Sequence, residues 1–408
     1  MPSAATPAPP PRLGLRHVGR RSFTGFLVIG VVAFLTLVDL FAVQAILPTL
    51  ARVYGVAPAA MGTAVNACTL GMAVAALLIA LFGSGIDSRR GVVASLALLS
   101  VPTALLAVAP DLGTFTVLRV AQGVFMSAAF TFTATHLSER SMNAATASAL
   151  AAYVTGNVAS NLAGRIVAAA AADHWGLPVT FLIFAGLNVT GALLVLRCFD
   201  GGPRTLDVAP RAPARIGPAV VLDHLRVPEL RSALMVGFLI LFAFLGVFTY
   251  VNFVLVRSPI GLDPMSLGLV YLVFLPSLVS TLLAGALVAL AGHERALFVA
   301  LAAALAGLLA VAVPSLLSML IGLALVAAGT FAAQAIVAGA VGRITAQGRP
   351  AANGLYLAAY YSGGLAGSVV VGAAFDAHGW NAAVLLVAAA VVGAAVIGRR
   401  IMIPGASA

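Results

Sequence analysis

Lysine is missing altogether: all 22 basic residues of the 408-residue chain are arginine. That absence excludes two functions. A nucleotide-binding phosphate loop reaches its phosphates with a lysine, so no ATP-driven pump of that kind is encoded. A retinal Schiff base needs a lysine amine as well. Charge of either sign is scarce, at 8% of residues against about 25% in soluble domains. The two cysteines, Cys68 inside an apolar run and Cys198 at the end of one, cannot form a disulfide framework. His17, His136, His174, His224, His293 and His378 lie at the ends of apolar runs or in loops. None has two further metal-type ligands at helical spacing, so no metal or other cofactor is expected. No serine–histidine set or carboxylate pair falls inside an apolar run, which argues against an enzyme.

What the chain does have is apolar length. Some 62% of its residues are hydrophobic and the mean hydropathy is +1.10. A bilayer is crossed by about 20 such residues in a helix. Spans are predicted near 24–48, 61–82, 92–109, 113–136, 144–171 and 179–197, then 232–255, 266–290, 296–313, 316–340, 353–375 and 382–398. The third and ninth are the least distinct. Residues 1–21 have the basic start of a signal peptide, but the run that follows contains Asp39 and exceeds a signal core, so it is expected to stay as the first span.

The expected organisation is all-α, with two six-span halves. A tail (1–22) precedes the first half (23–197). A linker with five prolines (198–230) leads to the second half (231–400) and a short tail (401–408). With both termini inside, eighteen arginines fall in inner segments and two, Arg52 and Arg257, in outer loops. That alternation follows the positive-inside rule and breaks with an odd number of spans. It accounts for the net charge of +10 without nucleic acid. The Ala, Arg, Gly and Pro bias suggests a GC-rich bacterial genome, and hence an inner membrane. The halves also repeat: Tyr153-x-x-Gly156 answers Tyr360-x-x-Gly363, and Asp173 answers Asp376, at offsets of 207 and 203 residues. A pore-forming channel is disfavoured by such a repeat.

Several motifs bring a family into view. Residues 39–55 (DLFAVQAILPTLARVYG), Arg119-x-x-Gln122-Gly123 in span 4, and Gly156-Asn157 followed by Gly164-Arg165 in span 5 are the strongest. Gly83-x-x-x-Asp87-Ser88-Arg89-Arg90 lies between spans 2 and 3. Over about residues 23–400 the chain resembles the major facilitator superfamily, in particular its bacterial drug and metabolite proton-antiporter-like (arabinose-efflux-permease-like) branch. The resemblance implies a secondary transporter working by alternating access on a small molecule, with protons as coupling ion, in the lipid bilayer, as a monomer. Proton-coupled efflux is the implied direction, with uptake of a metabolite as the alternative. The loop is shortened, lacking the glycine between Asp87 and the basic pair, and span 5 lacks the antiporter Gly-Pro.

The resemblance gives Asp87, Arg89 and Arg90 the role of a cytoplasmic latch, against the plainer reading of a solvated turn. It also places spans 2, 5, 8 and 11 at the seam between halves. Small residues recur there every four positions, with Gly156, Gly164, Gly285, Gly363 and Gly367 expected at that seam. Polar and aromatic residues within spans, Asn188, Asn353, Tyr271 and Tyr361 among them, are costly unless they face a cavity or each other. Gln44, Asn66, Gln122, Asn157, Asn161, Tyr250, Asn252, Gln334, Tyr356 and Tyr360 are therefore expected to line a solute cavity suited to a partly apolar solute, though lone amides more often bridge helices.

The charges inside the spans are fewer still. Asp39, Arg119 and Arg165 are the only ones. At about 1.5 Å per residue they lie at one depth, roughly 10–12 Å inside the outer boundary. Either Asp39 and Arg119 form a structural ion pair, or Asp39 exchanges a proton under control of the arginines. The second arginine leaves a surplus positive charge that an anionic solute group can meet.

Overall fold

The computed structural model describes residues 20–83, 86–140, 144–198, 218–344 and 349–401. Most of the expected N-terminal tail, linker residues 199–217 and the C-terminal tail beyond 401 lie outside these. Ten helical stretches among the described residues are long and apolar enough to cross a membrane. Two of them, Thr155–Cys198 and Ala351–Gly398, run to 44 and 48 residues, too long for one crossing. Each is two spans joined at a bend. α7 (Ala144–Cys198) turns at Gly176 and α14 (Arg349–Gly398) at Gly379, with φ of +81° and +79°. Only glycine adopts that conformation readily. The two bends make ten stretches into twelve spans, and they stand 203 residues apart, at the same place in each half.

Span 1 is α1 (Arg20–Ala45), followed by the short α2 (Leu47–Tyr54), which buries Leu47, Leu50 and Ala51. Span 2 is α3 (Pro58–Asn66) with α4 (Cys68–Phe82), span 3 is α5 (Ser88–Leu105), and span 4 is α6 (Leu112–Arg140). α7 supplies spans 5 and 6. After α8 (Pro218–Arg226) comes span 7, α9 (Pro228–Leu255). Span 8 joins α10 (Pro264–Val270), a 3₁₀ turn (Tyr271–Phe274) and α11 (Leu275–Ala291). α12 (His293–Val311) and α13 (Leu316–Ile344) are spans 9 and 10, and α14 gives 11 and 12. Spans 3 and 9, the faintest in the sequence, are regular helices of 18 and 19 residues.

A helix satisfies its main-chain polar groups internally, which hydrocarbon demands. The hydroxyls do the same by bonding back one turn: Thr36 to the Ala33 carbonyl at 2.8 Å, Thr133 to Ala129 at 2.7 Å and Thr330 to Val326 at 2.7 Å. Large apolar side chains such as Leu283, Leu290, Leu309 and Leu385 stay exposed on the outside of the bundle. In water such a surface aggregates; in a bilayer it is the solvated face.

Small residues set the closest crossings. A Cβ on Gly156 of span 5 would lie 2.1 Å from the Gly30 carbonyl of span 1, and one on Gly363 of span 11 only 2.0 Å from the Phe238 carbonyl of span 7. Gly164 and Gly367 continue these crossings against Val38 and the Phe242 carbonyl, and Gly285 has nothing within 4 Å. The seam expected of these five glycines is therefore corrected. They bring helices together inside each half, or touch nothing. A four-residue repeat marks a helix face, and does not say which neighbour that face meets. Between the halves the close approaches are made by Gly62 against the Tyr250 hydroxyl, Gly268 against Ala169 and Gly354 against Ala80.

Candidate functional site

Span 1 carries the centre of the polar cluster. Asp39 is the only buried acid among the described residues, and Arg119 and Arg165 are the only buried arginines. The expected Asp39–Arg119 ion pair is not formed: no ion pair within 4 Å joins Asp39 to either arginine. Asn188 of span 6 donates to the Asp39 carboxylate at 2.8 Å. Arg119 donates instead to the Asp39 main-chain carbonyl at 3.2 Å. Its remaining donors go to the Val65 carbonyl at 2.8 Å, the Gln122 Oε1 at 2.6 Å and the Cys68 Sγ at 3.1 Å. The physical reason is that neutral acceptors on spans 1, 2 and 4 together solvate the guanidinium, so no carboxylate is needed at that point.

Arg165 approaches span 1 through a carbonyl two residues further along, donating to Phe41 O at 3.4 Å and to the Gln44 side chain. Its guanidinium carbon lies 4.1 Å from the ring centroid of Tyr271, 4.7 Å from Phe274, 5.4 Å from Phe41 and 5.8 Å from Phe248. Three of those rings belong to spans 7 and 8. An arginine of one half is thus caged by aromatics of the other, an arrangement in which ring faces attract the cation.

Around this point the halves are hydrogen-bonded. Gln44 donates to Asn66 at 3.1 Å, and Asn66 to Thr249 of span 7 at 2.8 Å. Asn252 donates to the Gln44 carbonyl at 3.2 Å and accepts from the Tyr271 hydroxyl at 2.5 Å. At the bundle's end, the Ala59 amide donates to Asp376 at 3.1 Å. These three hydrogen bonds between halves lie toward the end that carries Asp173 and Asp376. A pocket of about 630 Å³ opens at that end, lined among others by Arg52, Ala169, Asp173 and Arg257.

The ten residues expected around a solute cavity divide accordingly. Gln44, Asn66 and Asn252 form the network between halves. Gln122 does not face a cavity; it is buried between Arg119 and Thr103, to which it donates at 2.7 Å. Tyr250 donates to the Ser368 carbonyl at 2.5 Å. Asn157 and Asn161 carry buried polar atoms with no partner, as does the Tyr356 hydroxyl. Tyr356 stacks on Tyr360 with centroids 6.0 Å apart. Gln334 is half-buried. None of the ten lines the 630 Å³ pocket. At the opposite end, Asp87 caps α5 by accepting from the Arg90 amide at 2.9 Å. Arg89 donates to the Leu196 carbonyl of span 6 at 2.5 Å, and Ser88 bonds His136 of span 4 at 3.1 Å.

Residues 29–275 match the family model described as Major Facilitator Superfamily. The chain belongs to that superfamily. Its relatives in the superfamily include the inner membrane transport protein YnfM of Escherichia coli, 24% identical over 371 residues, covering 89% of this chain and 86% of YnfM. An uncharacterized MFS-type transporter of Bacillus subtilis, YybF, is 25% identical over 352 residues and 85% of each chain. Among solved structures, a bacterial homolog of the human lysosomal transporter Spinster, inward-facing and occupied, superimposes with a TM-score of 0.72 at 14% identity, over 93% of this chain and 96% of its own. The nucleoside transporter NupG gives 0.72 at 14% identity, over 93% and 100%. At that identity both likenesses show the major facilitator fold alone. The superfamily and its transporter-named relatives make this chain a multi-pass membrane transporter of a small molecule.

Asn188 and Tyr271, which the sequence marks out as polar groups inside spans, complete the cluster together with Phe41, Phe248 and Phe274. The phenylalanines carried no such signal.

Proposed function

We propose that the chain is a monomeric secondary active transporter that exports a small organic solute across a bacterial inner membrane in exchange for protons, both termini being cytoplasmic. The observation that carries this reading is the partner of Asp39. A buried carboxylate locked to an arginine stays charged. One held by a neutral amide can exchange a proton at smaller cost. Asn188 Oδ1 has no hydrogen-bond partner, so the same amide can turn to accept from Asp39 once the acid is protonated. Arg119, joined to Asp39 through the main chain, carries protonation of the carboxylate into the packing of spans 1, 2 and 4.

Alternating access then needs a seam that opens. The bonds between halves are few and cluster toward the Asp173 end, and the caged Arg165 sits among them. Separating the halves there exposes Arg165, Gln44 and Asn252 from that side. The loop Asp87–Arg90 is proposed as the cytoplasmic latch of the opposite end. Export is favoured by the antiporter-like motifs in spans 1, 4 and 5. Transport into inside-out vesicles across a compound panel, with and without a pH gradient, tests the reading. Accumulation that requires the gradient supports it. Equal, gradient-independent equilibration of every substrate contradicts it.

A further inference from the structure

The nature of the solute can be taken further, resting on the transport reading above. Arg119 spends its donors on four neutral acceptors. Arg165 does not. Its Nη1 is buried without a hydrogen-bond partner, and no carboxylate lies within 4 Å. A buried cation without a counter-ion is expensive, and the surrounding rings offset only part of that. One turn along the same face of span 5 stands Asn161, 1% exposed, with neither side-chain atom partnered. One further turn away, Asn157 Oδ1 is also unpartnered.

In the other direction, the face leads from Arg165 to Ala169, which lines the 630 Å³ pocket and packs on Gly268 of span 8. The two arginines assigned to outer loops, Arg52 and Arg257, both line this pocket, against a single acid, Asp173. Two exposed arginines thus stand at the pocket, and Arg165 is buried one turn beyond Ala169 of its lining.

We propose that the transported solute is a singly charged organic anion, a carboxylate on an aromatic or apolar body. The carboxylate takes Arg165 Nη1 and the Asn161 amide, and the body packs on Phe41, Phe248, Tyr271 and Phe274. One free cation matches one negative charge, and guanidinium donors suit a carboxylate. Arg52 and Arg257 raise the local concentration of such an anion at the mouth.

The test uses purified full-length protein in detergent, with benzoate and 1-naphthoate as probes and benzamide and 1-naphthamide as neutral matches. The acids are expected to raise the melting temperature and the amides to leave it unchanged. Arg165→Lys, which keeps the charge but loses the fork of donors, is expected to weaken benzoate binding roughly ten- to a hundredfold. Asn161→Ala, which leaves the arginine in place, is expected to weaken it less. Amides that stabilise as well as the acids overturn the proposal, as does a wild type that neither acid shifts. So does unaltered benzoate binding in both variants. Because binding is read without a gradient, the transport reading fails separately: it falls if no solute, charged or neutral, crosses wild-type proteoliposomes faster than empty liposomes.

Discussion

Asn188 and Asp39 lie on spans 6 and 1, and the amide of one donates to the carboxylate of the other at 2.8 Å. No arginine shares that carboxylate. A positive partner fixes the charge of an acid, whereas an amide can present either its N–H or its oxygen. The acid's two polar groups therefore do different things. The carboxylate faces a partner indifferent to its protonation, and the main-chain carbonyl anchors Arg119.

The orientation in the membrane is read by single cysteines in a background lacking Cys68 and Cys198. Positions 89, 140, 295 and 349 are expected to react with an impermeant maleimide from the cytoplasmic side only, and 173 and 376 from the outside only. Labelling of 140 or 349 from outside contradicts twelve spans.

Helix crossings within each half should not tolerate bulk. Gly156→Leu and Gly363→Leu place side chains where a main-chain carbonyl lies about 2 Å from the Cβ position. Each is expected to cost on the order of 1–3 kcal/mol or more, visible as a lower melting temperature. Gly285→Leu, with open space around it, is expected to melt like the wild type. Equal melting of all three disproves the packing assignment.

How much of this was legible in the sequence differs by level. Span count and the repeat follow from apolar length and from pairs such as Asp173 with Asp376. Rotation of each helix about its axis does not. In a soluble protein the buried face is the apolar one, but in a bilayer both the packed face and the lipid face are apolar. Phe248 and Phe274, which cage Arg165, therefore look no different in sequence from Phe298, which is exposed. Gly156 and Gly268 likewise share a composition, while one packs within a half and the other between halves. Gln122 was read as lining a cavity because it is polar, but it bonds to Arg119, one turn away on its own span, and to Thr103 of span 3; polarity alone does not say which neighbour a side chain meets.

The loop between spans 2 and 3 separates capping from charge. Asn caps a helix about as well as Asp, so Asp87→Asn keeps the bond from the Arg90 amide and removes only the negative charge. It is expected to reach the membrane at normal levels and to transport far more slowly. Transport at the wild-type rate reduces the loop to a cap and a topology signal.

Two surface carboxylates bear on pH. Asp111 is held below its ordinary pKa by the Thr114 amide and hydroxyl, and Asp263 by the same groups of Ser266. A depressed carboxylate contributes its stability fully above the ordinary value of about 4 and loses it as pH falls through the lower folded value. The melting difference between wild type and Asp111→Asn is therefore expected to stay constant from about pH 5 to 8 and to shrink only below about 4. A difference that changes near neutrality contradicts this capping account. Transport that varies in that range must draw on another group.

That group is expected to be Asp39, and one comparison decides it. Asp39→Asn and wild type, reconstituted in proteoliposomes, are measured for accumulation of a transported solute under an imposed pH gradient and for solute exchange at equal pH. Proton coupling at Asp39 predicts a folded variant that exchanges solute at a rate near wild type yet does not accumulate it at any gradient. Uphill, pH-dependent accumulation by folded Asp39→Asn contradicts the coupling role.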